Sequence, residues 1–338
     1  MPKAAPKKTR SKSSKPTIQD VANELGISVY AVSRTLNNSS GVNSEMRERI
    51  LATSRRLGVK PRPPKRQIQI ALAMTNGNDY WKGGYVMNVT FELLRELSSR
   101  NIGLTVFSDD QVDQLCRQIF DGVFVFSWDE TVLERLSAIK DTPMVAINRF
   151  SLSDRFHVVG WDHVAEGRAV ANYLIERGHQ RTGIVTVHPS SQDNTQSRVE
   201  GFSESLAAAG KKFDPTLLEI IEAPENLVPA LARLVDRQVD SIYFPGQERL
   251  GILALNTLQR IMKVRVPEDI SVIAGEIPNW SDITDPPLTT IDVPYTRIAK
   301  RCADHILRLI EKRETEASEV FLETRIIERR TVIDRRPS

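Results

Sequence analysis

The stretch TIQDVANELGISVYAVSRTLN, residues Thr17 to Asn37, describes two short helices meeting at a sharp angle. Thr17 followed by Asp20 is a capping pair able to satisfy orphan amide donors at a helix start. Behind it Ile18, Val21, Ala22 and Leu25 recur at helical spacing. Gly26 ends the helix, because a residue without Cβ carries the backbone through a tight turn at little cost. Ser28 is the next N-cap, opening the run Val29 to Asn37. On that second helix Val32 and Leu36 share one face, which leaves Val29, Tyr30, Ser33 and Arg34 on the rest of the surface. The spacing predicts a helix-turn-helix whose second helix carries candidate base readers.

Two short helices need a third to form a core, and Asn43 and Ser44 can cap one that carries Met46, Ile50, Leu51 and Leu57. Charge separates this head from the rest of the 338-residue chain. Residues 1–66 hold seven Lys and eight Arg against four acids, a net +11, while the whole chain is +3 and the remainder therefore −8. A basic head on an acidic body fits a polyanion-binding module attached to a body with another task.

The head sits between two segments of different composition. Residues 1–15 are rich in Lys and Arg, contain no acid and almost nothing apolar, and read as a disordered basic arm. The three-helix domain is expected over 16–59. Residues 60–67 follow with Pro61, Pro63 and Pro64 among basic residues, which favours an extended linker over a regular helix. No secretory signal and no run of about twenty apolar residues is found, so a cytoplasmic protein with no membrane contact is expected. Cys116 and Cys302 lack metal-type spacing and read as reduced thiols.

Residues 68–338 alternate short apolar runs with amphipathic helical segments. IQIALAM, LTVF, GVFVF, MVAIN, HVVG, GIVTV, SIYF and ISVIA read as strands; 85–99, 163–177, 198–209, 248–262 and 294–312 read as helices. The pattern predicts doubly wound parallel α/β sheets, and its length predicts two lobes. In such sheets the ligand crevice lies beyond the carboxyl ends of the strands, where this chain places polar and aromatic residues. Tyr80 and Trp81, Trp128, Asn148, Asp162, Arg198, Glu248 and Glu276 are the candidates, with Trp161 and Trp280 as further aromatics; Trp128, Trp161 and Trp280 could each equally be core. Such a lining suits a small polar ligand with an apolar face, a sugar above all.

No HExxH, G-x-S-x-G or P-loop occurs, and none of the five His forms a ligand pair. No catalytic residue, metal or cofactor is therefore expected.

The head resembles the DNA-binding domain of the lactose-repressor (LacI/GalR) family of bacterial transcription regulators. TIQDVANELGIS, AVSRTLNN, VNSEMRERIL and LGVKP match that family's residue types and spacing without a gap. The resemblance implies that Arg34 contacts a guanine edge, that Val29 and Tyr30 set operator preference, and that Ser28, Ser33 and Asn37 position the helix on phosphates, with Thr17 also on the DNA-binding side. The body matches the family's regulatory domain, itself similar to periplasmic sugar-binding proteins, through WDHVAEGRAVANYLIERGHQRTGIV, RVEGF, VPEDISVIAGE and DPPLTTIDVP. That match implies effector contacts at Asp162, Arg198 and Glu276.

Two departures modify the resemblance. Typical members follow the head with a hinge helix whose leucine wedges into the minor groove, whereas Arg62, Pro63 and Pro64 stand here, so strong hinge-driven kinking is not carried over. Gln247-Glu248 and Glu276-Ile277 replace the usual Asn-Asp and Asp-Asp, which implies an effector smaller or differently substituted. The resulting expectation is a homodimeric repressor that reads a palindromic operator in double-stranded DNA and responds to a sugar, controlling carbohydrate uptake or use. Replacing Arg198 by Ala should then silence the response and leave the fold intact; the alternative is that Arg198 forms a salt bridge inside the lobe, in which case folding is lost with the response. The alternative left open is a DNA-binding scaffold whose cleft takes no small molecule and engages a protein.

Overall fold

The computed structural model describes residues 16–37, 42–59, 67–75, 84–150, 156–187, 194–246, 248–311 and 318–337. The basic arm, linker residues 60–66, Tyr80, Trp81, Gln247 and the Glu248 side chain lie outside the described residues.

Three helices form the head: α1 (Ile18–Leu25), α2 (Val29–Leu36) and α3 (Ser44–Leu57). Local chemistry sets each boundary. The Thr17 amide and hydroxyl both donate to Asp20 Oδ2, at 2.7 and 2.8 Å, closing the start of α1. Gly26 at φ 66° ends it in the left-handed region that only glycine enters freely. Ser28 Oγ accepts from the Ala31 amide (3.2 Å) and Asn43 Oδ1 from the Met46 amide (2.8 Å), capping α2 and α3. Val21, Ala22, Val32, Leu36, Ile50 and Leu51 pack together between the three helices.

Past Gln67 the chain builds two α/β lobes. The first contains β1 (Gln69–Met74), α4 (Tyr85–Ser99), β2 (Gly103–Ser108), α5 (Val112–Cys116), β3 (Gly122–Phe126), α6 (Glu130–Ser137), β4 (Met144–Ile147) and β5 (His157–Trp161). The second contains α7 (His163–Glu176), β6 (Thr182–Val187), α8 (Thr195–Ala208), β7 (Leu218–Ile221), α9 (Leu227–Asp236), β8 (Ser241–Phe244), α10 (Glu248–Asn256), β9 (Ser271–Gly275) and β10 (Thr289–Ile291). The chain then returns through α11 (Tyr295–Ile310) and β11 (Glu319–Leu322) to the first lobe, and ends with β12 (Ile326–Ile327) in the second.

The strand orders are β11-β5-β4-β3-β1-β2 and β12-β10-β9-β8-β6-β7. All pairs are parallel except β10 with β12. This is the doubly wound arrangement read from the sequence. Strands β3, β4 and β5 are buried at every position because helices cover both faces, so they read as unbroken apolar runs. On one face Val89 and Leu93 of α4 meet Ile298, Cys302 and Ile306 of α11; on the other lie Leu115, Leu133 and Leu136 from α5 and α6.

One helix differs from its sequence reading. Instead of a continuous α-helix over 248–262, α10 stops at Asn256 and a π-helical turn runs from Thr257 to Ile261.

Among the described residues the chain passes between the lobes three times, after β5, β10 and β11. The second and third passages are tied to each other. The Asp292 amide donates to the Arg325 carbonyl (2.8 Å), and the Asp292 carboxylate lies 3.6 Å from Arg297 and 3.5 Å from Arg325. Short parallel crossovers of this kind concentrate a change of lobe angle into a few residues.

Candidate functional site

The outward row of α2 is set by its periodicity. Val32, Thr35 and Leu36 are buried, so Tyr30, Ser33, Arg34 and Asn37 share the opposite side. They pair along the helix: Arg34 donates to the Tyr30 hydroxyl (3.4 Å) with its guanidinium 5.5 Å from the ring centroid, and Asn37 Nδ2 donates to Ser33 Oγ (3.3 Å). Tyr30 is 68% exposed. Its ring therefore stands on the surface and braces Arg34. Val29 differs from the other candidate readers, since it is half-buried against the head's own core. Thr17 and Ser28 spend side-chain oxygens on helix capping.

In the body, the residues after β5 and β4 meet the start of α8. A cavity of about 730 Å³ opens there among the described residues, bordered by Arg149, Phe150, Trp161, Asp162, His163 and Asn194. Asn148 is buried with φ 55°, a backbone conformation in which Asn is better tolerated than most side chains. Its position is fixed from the other lobe: His163 Nε2 donates to Asn148 Oδ1 (2.9 Å) and Asn194 Nδ2 to the Asn148 carbonyl (2.9 Å). Asp162 is exposed and caps α7 by accepting from the Ala165 amide (2.9 Å).

Arg198 lies deeper. Its Nε donates to Glu166 Oε2 (2.9 Å), and its guanidinium stands 5.9 Å from the Trp161 ring centroid. Glu166 also accepts from Trp161 Nε1 (2.7 Å) and from the Tyr243 hydroxyl (3.0 Å). Burial opposes ionisation of Glu166, but the charge of Arg198, with the His163 ring close by and the hydrogen bond from Trp161, outweighs it and holds the carboxyl at about 2. For His163, burial and then the charge of Arg198 push its pKa down to about 4, so the ring is neutral near pH 7.

Glu276 is also engaged internally. Arg329 grips it with both terminal nitrogens, at 2.9 and 3.0 Å, and the Thr290 hydroxyl donates to it as well. Aromatic contacts join these places. Trp128 packs on Phe126, Phe126 on Tyr85, and Tyr85 on both Trp161 and Tyr295, at centroid distances of 5.4, 5.2, 5.3 and 6.1 Å. The Tyr295 hydroxyl then donates to the Glu276 carbonyl (2.9 Å).

Of the candidates, Trp128, Asn148, Asp162, Arg198 and Glu276 are thus linked through neighbouring side chains, and of these five Asp162 borders the cavity itself. Trp161 is buried there too, whereas Trp280 is 60% exposed. Sequence reading missed Glu166, His163, Tyr243, Tyr85 and Arg329. Only Glu166 left a signal, as a carboxylate between small residues in the run VAEGRAVA of an otherwise buried helix face. Among the described residues no helix is long and apolar enough to cross a membrane, and no group of His, Cys, Asp or Glu is placed to hold a metal.

Comparison with known proteins agrees with this geometry. The model for bacterial regulatory proteins of the lacI family matches residues 17–62, and that for periplasmic binding protein-like domains matches residues 171–332. The HTH-type transcriptional repressor PurR of Edwardsiella ictaluri (strain 93-146) is 26% identical over 340 residues, covering 94% of this chain and 97% of the relative. The HTH-type transcriptional regulator CelR of Thermobifida fusca is 26% identical over 336 residues, covering 93% and 98%. Among solved structures, a transcriptional regulator CelR–cellobiose complex matches with a TM-score of 0.69 at 26% identity, covering 94% of this chain and 99% of that one. The Lac repressor dimer bound to operator and the anti-inducer ONPF matches at TM-score 0.67 over 95% of this chain and all of its own, but at 18% identity it supports the fold alone. With a helix-turn-helix head, a two-lobed body and relatives that are transcriptional regulators over nearly the full length, the chain belongs to the lacI family of bacterial regulatory proteins.

Proposed function

We propose that this regulator is a cytoplasmic repressor that binds a palindromic operator as a homodimer and releases or engages it in response to a sugar held between the lobes. It has no catalytic activity in this reading. The observation that carries the reading is the cavity at the lobe crossings, bordered by aromatic rings and hydrogen-bonding groups, in a body joined to a helix whose outward row is Tyr30, Ser33, Arg34 and Asn37. An apolar face with hydrogen-bonding edges is the chemistry of a sugar ring, and a bound sugar in a CelR relative supports the same class. The genes controlled would serve carbohydrate uptake or use.

Two features support the dimer. One recognition helix spans too few bases for useful specificity, whereas two on a twofold axis read a palindrome. Met87, Phe91 and Leu94 form an exposed apolar row on α4, at 45, 63 and 48% exposure, which a second copy would cover.

The test is selection of preferred sites from random duplex DNA by the full-length chain, followed by gel shift of the selected site with added sugars. A palindromic consensus whose complex responds to at least one sugar supports the reading. A second reading, a protein-binding scaffold with no effector, is favoured by the internal pairing of Arg198 with Glu166 and of Glu276 with Arg329. Thermal shift separates the two, since a ligand at about 100 times its Kd stabilises by roughly 2.7 kcal/mol.

A further inference from the structure

We infer that the cleft selects an uncharged ligand, and that Glu166 sets this selection by neutralising Arg198 from inside the second lobe. The inference rests on the effector reading above. A buried guanidinium near a ligand cleft ordinarily finds its counter-charge in the ligand, as carboxylate or phosphate. Here α7 delivers the counter-charge instead.

The pair is closed to solvent, with side-chain exposures of 5% for Arg198 and 4% for Glu166. Gly246 makes room above it: at φ +61° it has no Cβ, and one placed there would stand 3.0 Å from an Arg198 terminal nitrogen. Trp161 and Tyr243 supply two further donors to the Glu166 carboxylate, one on each oxygen. The pair is therefore hydrogen-bonded on both sides and electrically neutral.

Among the described residues two further arginines near the cleft follow the same rule. Arg149 pairs with Glu130 at 2.7 Å, and Arg329 pairs with Glu276. His163, between the pair and the cavity, is neutral near pH 7. Asp162 faces the cavity with a carboxylate. An anionic ligand would lose its hydration, meet no unmatched positive charge from these groups, and be repelled by Asp162. A hydroxyl-bearing neutral ligand loses little on entry and finds an acceptor at Asp162 and a donor-acceptor at Ser197.

Calorimetry and thermal shift on the full-length chain test this, with D-glucose and cellobiose as neutral probes and D-glucuronate, glucose 6-phosphate and inorganic phosphate as charged ones. The wild-type chain should bind a neutral sugar at least tenfold more tightly than any charged probe. Glu166→Gln preserves shape but leaves Arg198 unmatched, and should shift the charged-to-neutral affinity ratio tenfold or more towards the charged probes and create a thermal response to inorganic phosphate. A wild-type chain that binds a charged probe as tightly as the neutral ones overturns the inference, as does a folded Glu166→Gln chain with an unchanged ratio and no phosphate response. Should Glu166→Gln not fold, the double variant Glu166→Gln/Arg198→Gln removes both charges and should keep the neutral preference; loss of that preference counts against the idea. If no sugar of either kind binds the wild-type chain, the effector reading fails, and the phosphate response of Glu166→Gln still decides whether Glu166 holds anions out.

Discussion

Gly167 of α7 lies so close to Arg198 of α8 that a Cβ added to Gly167 would stand 1.9 Å from the Arg198 carbonyl oxygen. Gly201 repeats the contact one turn further on, where a Cβ would come within 2.0 Å of the Val164 carbonyl oxygen. The two helices therefore cross with their backbones touching. That approach brings the Glu166 carboxylate within reach of Arg198 Nε.

Gly201→Ala should consequently destabilise the second lobe although Ala is the better helix former. Intrinsic propensity favours Ala by about 1 kcal/mol, while forcing two backbones apart in a packed interior costs about 1 to 3 kcal/mol or more. Urea denaturation measures the sum, and a net gain in stability would show that the crossing is not as tight as described.

Arg198→Ala should not leave the fold intact, as a purely ligand-contacting role would. Because Glu166 is buried with Arg198 as its counter-ion, the variant leaves an uncompensated charge, a loss of about 3 to 5 kcal/mol. Glu166→Gln/Arg198→Met should recover a large part of that loss. Equal denaturation midpoints for wild type and Arg198→Ala would refute the buried pair.

Acid should destabilise the body in two windows. The pKa of His163 falls from 6.5 unfolded to about 4 folded, so the unfolded chain binds the extra proton; stability is full above pH 6.5 and is lost as pH falls towards 4. Glu166, lowered from 4.5 to about 2, keeps its contribution above 4.5 and loses it as pH falls through 2. His163→Gln should flatten the upper window, on the order of 3 kcal/mol, and spare the lower one. Denaturation midpoints between pH 7 and pH 4 check this; an unchanged slope in the variant would exclude a buried neutral His163.

On DNA, Arg34→Ala is expected to cost about 1 to 3 kcal/mol at the selected site and to relax preference at one base pair per half-site. Tyr30→Phe removes the hydroxyl that Arg34 touches and keeps the ring beneath the guanidinium, so it should cost less than Arg34→Ala. Quantitative footprinting over single-base variants is the readout. Uniform weakening across all sequences would make Arg34 a phosphate contact rather than a reader.

For assembly, Phe91→Glu places a charge in the exposed row of α4 and should yield monomers that bind a single half-site weakly. Light scattering after size exclusion gives the answer, and an intact dimer would move the interface elsewhere.

The head was almost wholly legible because its determinants are local. Thr17 with Asp20, Gly26, Ser28 and Asn43 act within four residues of themselves, and so do the i, i+4 rows of α2. In the body the central strands were equally plain, since a strand covered on both faces must be apolar throughout. The elements that escaped sequence reading have weaker signatures for identifiable reasons. Strand β10 is TTI, polar in composition yet buried, because Thr289 and Thr290 satisfy their hydroxyls through Arg329 and its neighbours. Helix α9 carries Pro229 in its first turn, where the missing N–H would have had no intrahelical acceptor. Strands β11 and β12 are short and half-exposed.

What the sequence by itself determined was the family of shapes: a capped helix-turn-helix, a basic head on an acidic body, and parallel sheets whose strand ends carry polar and aromatic residues. Which of those residues are matched by a partner was decided only by the tertiary structure. Glu166 and Arg198 are 32 positions apart, and Glu276 and Arg329 are 53. No periodicity or spacing rule links residues at such separations. A charge that looks available for a ligand along the chain is already compensated once helices α7 and α8 close on each other, because burying it alone would cost about 3 to 5 kcal/mol, a large share of a domain's stability.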